Sequence, residues 1–133
     1  MKEFKLTPDM VSMGGAFYPK GYVFIMFDKQ ESAEQVAREI DGHAGNEDVM
    51  LLSPATVLRE IGKVDGESKV PLPSVGTEGA TVNNYVDLAR KGHHALMVKI
   101  ASDEDAKRVT DAARKASFSY GQRYHLLAME DLE

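Results

Sequence analysis

Six apolar residues run without a break from Tyr22 to Phe27, behind the turn-forming stretch Tyr18-Pro19-Lys20-Gly21. A block that short, rich in β-branched and aromatic residues, predicts a buried strand. Asp28-Lys29-Gln30-Glu31 follows with the D-x-x-E spacing of a helix capping box. Ala33, Val36, Ala37 and Ile40 then recur at helical spacing, and Gly42 and Gly45 mark the end of that helix. Asp48 to Leu52 reads as a second strand. Ser53-Pro54 supplies an N-cap and first-turn pair for a short helix carrying Val57, Leu58 and Ile61, stopped by Gly62.

Between Lys63 and Gly79 the periodicity dissolves into a long Pro- and Gly-rich loop. Order returns at Thr81 with a helix whose apolar face is Val82, Tyr85, Val86 and Ala89, closed by Gly92. The remainder repeats the beginning. Ala95 to Ile100 is a strand, Ser102-Asp103-Glu104-Asp105 opens a helix with Ala106, Val109 and Ala113 on its buried stripe, and Tyr124 to Met129 is the closing strand. Ala33 and Val36 fall on Ala106 and Val109 at one constant offset.

Two βαβ halves most simply fold as an α+β, ferredoxin-like sandwich. This is a four-stranded antiparallel sheet, first and third strands central, with helices on one face. The expected organisation is one domain over residues 1–133: a first half at about 21–52, inserted helices and loop at about 53–92, and a second half at about 93–129. Tyr22–Phe27 is apolar at both alternating sets of positions, so both sheet faces need cover. The expected cover of the second face is another copy of the chain, a homodimer, with the inserted helices or the N-terminal segment as alternatives.

Composition narrows the function. The 133 residues include 43% hydrophobic and 28% charged residues, the profile of a globular domain. No apolar run is long enough to span a membrane, and Met1–Lys5 leads into no signal-type apolar segment, so no membrane partner and a cytoplasmic location are expected. Cysteine is absent, which removes disulfides and thiolate chemistry. The net charge of -5 argues against nucleic acid as a partner. Lys91-Gly92 starts like an RNA-recognition motif, but its stacking positions fall on His93, Ala95 and Val98, none of them an aromatic Phe or Tyr.

No metal site and no cofactor are expected: the adjacent His93 and His94 point to opposite strand faces, and His43 and His125 lie apart from them. Acids at both main helix starts occupy the place of a bound phosphate. No catalytic residue is assigned, because Ser53, Ser74 and Ser102 have turn or capping roles and no G-x-S-x-G elbow exists. One constellation remains. The end of the first strand, the start of the third and the start of the fourth share a rim that gathers Asp28, His93, His94, Arg123 and Tyr124, with Tyr85 on a helix ending nearby. These six are the candidate ligand-binding residues, suited to a small anion or carboxylate.

The strand and acid-opened helix of Gly21–Glu39, and Gly92–Ala113 where Gly-His-His leads into a second such unit, resemble the bacterial general stress proteins of the heat-induced, YflT-like kind. The resemblance implies a small stress-associated domain with no assigned enzymatic activity. The expected function is therefore a noncatalytic accessory domain with a small-ligand role. The alternative is a small enzyme using His93 or His94 as acid or base.

Overall fold

The computed structural model describes residue 10 and residues 17–41, 49–62, 76–124 and 129–132. Its elements follow the chain as strand β1 (Tyr22–Phe27), helix α1 (Gln30–Asp41), strand β2 (Val49–Leu52), helix α2 (Pro54–Thr56) continuing as a π-helical stretch over Val57–Ile61, helix α3 (Gly76–Arg90), strand β3 (His94–Lys99), helix α4 (Asp103–Lys115), strand β4 (Tyr120–Tyr124) and strand β5 (Met129–Asp131). All strand pairs are antiparallel, in the order β2-β3-β1-β4-β5. The α+β class is thus observed, and the order of the first four strands matches a ferredoxin-like sandwich with β1 and β3 at the centre. The fifth strand is an addition beside β4. His43, His125, Ser74 and most of the 63–79 loop lie outside the described residues. The last four positions of that loop are helical, because α3 already starts at Gly76.

The two sheet faces are packed with different materials. Val23, Ile25 and Phe27 of β1 and Leu96 and Val98 of β3 meet Ala33, Val36, Ala37 and Ile40 of α1 and Val109, Ala112 and Ala113 of α4. Alanine at the contacts lets α1 run close to β1, β2 and β3 and against α4. Leu132, after β5, closes the same face over Gly121, where an added Cβ would stand 2.7 Å from its Cδ1. The opposite face carries Phe24, Met26, Ala95, Met97 and Tyr124, covered by Phe17, Tyr18, Val57, Ile61, Val82, Tyr85 and Val86. Rings set the spacing here: Tyr85 lies 4.2 Å, centroid to centroid, from Phe24, and Phe17 stands edge-on to Phe24, Tyr85 and Tyr124.

Of the covers expected for this second face, the packing shows the two alternatives to a second copy, the inserted helices and the N-terminal segment. Phe24, Met26 and Met97 are fully buried within a single chain, so α3, the π-helical stretch and Phe17–Tyr18 supply the cover assigned to a second copy. Among the described residues no helix is long and apolar enough to cross a membrane.

Two of the expected caps are in place. Ser53 Oγ accepts from the Thr56 amide at 3.1 Å, and Ser102 Oγ from the Asp105 amide at 3.2 Å, while Asp105 reaches back to the Ala101 amide at 3.3 Å. The third is not. Asp28 sits in a bend two residues ahead of α1 and makes no hydrogen bond or ion pair with the described residues.

Candidate functional site

The rim is built by three chain crossings. Phe27 pairs with His94, so the end of β1 lies beside the start of β3, and the Ser119 amide donates to the Met26 carbonyl at 2.8 Å, bringing the start of β4 to the same place. Gly92, at φ +93°, turns the chain out of α3, and the His93 amide donates back to the Leu88 carbonyl at 3.0 Å. Across the end of β1, His93 Nδ1 and Ser119 Oγ are 2.8 Å apart. Continuing the β1–β3 register by one residue sets Asp28 opposite His93. Asp28, His93 and Ser119 therefore share this rim.

His94 points to the other side. It is opposite Phe27, on the face of α1 and α4, and its Nδ1 is buried without a hydrogen-bond partner among the described residues. His93 and His94 diverge as strand alternation requires. No group of three or more potential metal-ligating side chains occurs among the described residues.

Arg123 and Tyr124 are corrected. β4 runs over Tyr120–Tyr124 instead of starting at Tyr124, which carries both residues to the far end of the sheet. Arg123 pairs with Val23 in the ladder and its guanidinium meets Asp103 Oδ1 at 2.9 Å, beside the start of α4. The Tyr124 carbonyl accepts from the Gly21 amide at 2.9 Å, and its hydroxyl is buried against the Tyr85 hydroxyl at 2.7 Å. Tyr85 is fully buried over Phe24, so neither tyrosine is a surface ligand. Nearby, Gln122 Nε2 donates to the Tyr120 hydroxyl at 3.0 Å, giving the aromatic layer a second internal polar contact. With Arg123 engaged elsewhere, the guanidinium on which the expected anion site depended is gone.

Ser119, in contact with His93, is not among the residues the sequence singled out. It became visible only with β4 placed at Tyr120, since nothing in Ser117-Phe118-Ser119 marks a nucleophile locally. The loop holding it is strained: Ser117 has φ 58°, a left-handed conformation favoured by glycine, and forms the turn out of α4. Ser117→Gly is expected to stabilise the protein by about 0.5–1 kcal/mol, the relieved Cβ crowding less the entropy glycine adds to the unfolded chain. A urea titration of the variant beside the parent measures this.

Fold and rim together define a small α+β domain with one antiparallel sheet, covered on both faces, and a polar Asp-His-Ser group at one end of its central strands. No protein-family model matches the chain, and neither does any curated protein or solved structure.

Proposed function

We propose that the chain is a noncatalytic accessory domain, of the stress-associated kind its sequence resembles, presenting a small-ligand site where β1 ends and β3 and β4 begin. The observation that carries this reading is a division of labour among polar residues. Asp28 and Ser119 are exposed and His93 half-exposed at that rim, whereas Tyr85, Tyr124 and Arg123 are committed to partners within the fold. An amide-resolved NMR screen with small charged and neutral fragments is expected to shift the signals of residues 28, 93 and 119 together. Fragments that bind only over the outer surfaces of α1 and α4 would overturn the assignment.

A second reading, a small enzyme in which His93 acts as acid or base, is favoured by one contact. A hydroxyl 2.8 Å from an imidazole nitrogen is within proton-transfer reach. The two readings part on turnover: the accessory domain holds its ligand unchanged.

A further inference from the structure

The geometry points to Ser119 as an acyl-accepting nucleophile with His93 as its general base, acting on small carboxylic esters; this rests on the second reading above and names its nucleophile and substrate. Three features converge on it. Ser119 Oγ lies 2.8 Å from His93 Nδ1, a nucleophile–base contact made by residues 26 positions apart in the chain. The other ring nitrogen of His93 has no partner among the described residues, and Asp28, the carboxylate opposite His93 in the continued register, has none either. In the tautomer protonated on Nε2, the Nδ1 lone pair faces the serine hydroxyl. Finally, the Ser119 amide is fixed to the Met26 carbonyl at 2.8 Å, just beyond the left-handed Ser117, so the hydroxyl is carried by a constrained turn.

In the first step Ser119 Oγ attacks the ester carbonyl carbon and its proton passes to His93 Nδ1. The carbon–oxygen bond to the alcohol then breaks, and the alcohol departs with that proton, leaving an acyl-serine. In the second step water attacks the acyl carbon, giving a proton to Nδ1. Ser119 Oγ leaves and recovers that proton, and the carboxylic acid is released. No oxidant or reductant is required.

The test is mass spectrometry of the full chain after exposure to an alkyl fluorophosphonate, with p-nitrophenyl acetate hydrolysis followed in parallel. One adduct is expected, on Ser119, with loss of fluoride. Ser119→Ala should abolish the adduct and the enzymatic part of ester hydrolysis, and His93→Gln should slow labelling by about 10²–10⁴-fold, the range of a general base. Thermal melting of each variant verifies that it is folded, as expected for substitutions at this rim.

An unlabelled Ser119, or labelling indifferent to His93→Gln, overturns the nucleophile assignment. Hydrolysis that falls in His93→Gln but not in Ser119→Ala removes the nucleophile while retaining His93 as acid or base. Hydrolysis unchanged in both variants removes the enzyme reading as well.

Discussion

Phe24→Ala is expected to lower the free energy of unfolding by about 3–5 kcal/mol, the range for emptying a buried aromatic site. Phe24 is fully buried at the centre of β1, and it supports the rings of Phe17 and Tyr85 from beneath. Its removal takes away apolar burial and also leaves two neighbouring rings without a floor. These are large and rigid, so the space can close only if α3 or the Phe17–Tyr18 segment moves. Domains of this size hold about 5–15 kcal/mol in total, so the variant should be marginal at room temperature. Urea unfolding followed by far-ultraviolet circular dichroism measures the change, and Leu58→Ala, at an exposed position, is the control and should stay within about 0.5 kcal/mol of the parent. A cost near that of the control would mean that the second face is not packed as described.

The second large effect concerns the buried tyrosine pair. Tyr85→Phe and Tyr124→Phe should each destabilise by about 0.5–1.5 kcal/mol, because each removes one partner of a buried 2.7 Å hydroxyl contact. The double variant should cost less than the sum of the singles, with a coupling of about 0.5–1.5 kcal/mol. A double-mutant cycle by chemical denaturation measures it. Strict additivity would show that the hydroxyls do not share a bond that matters to stability. The cycle also probes how α3 is held, since Tyr85 is its central contact with the sheet and Tyr124 comes from β4, 39 residues later.

Much of this architecture is legible from hydrophobic spacing alone. β1 and β3 are apolar at nearly every position, and α1 and α4 carry their stripes at helical spacing, so the central strands and the α1/α4 layer follow from the pattern. β4 does not. Tyr120-Gly-Gln-Arg-Tyr turns tyrosines and a glutamine toward the α3 face and Gly121 and Arg123 toward the other, and the glycine is filled by Leu132 from outside the strand. No apolar run announces such a strand, and most of the apolar stretch Tyr124–Met129, expected as the closing strand, lies outside the described residues. That displacement decided the site as well. A shift of four residues at the start of β4 exchanged Arg123 and Tyr124 for Ser119 at the rim, while Asp28 and His93 kept their places because β1 lies at Tyr22–Phe27 as expected and β3, at His94–Lys99, is only one residue off the expected Ala95–Ile100.

The contrast between the alanine-lined and ring-lined faces reaches beyond stability. Where α1 and α4 meet the sheet, Ala33, Ala37, Ala112 and Ala113 tolerate no gain in volume, since any larger side chain must push a helix away. Where α3 meets it, Phe24 and Tyr85 tolerate no loss. Over many generations the two sides of one sheet must then drift under opposite prohibitions, one against growth and the other against shrinkage. Variation collected from living populations should carry that asymmetry as a signature of which helix lies on which side.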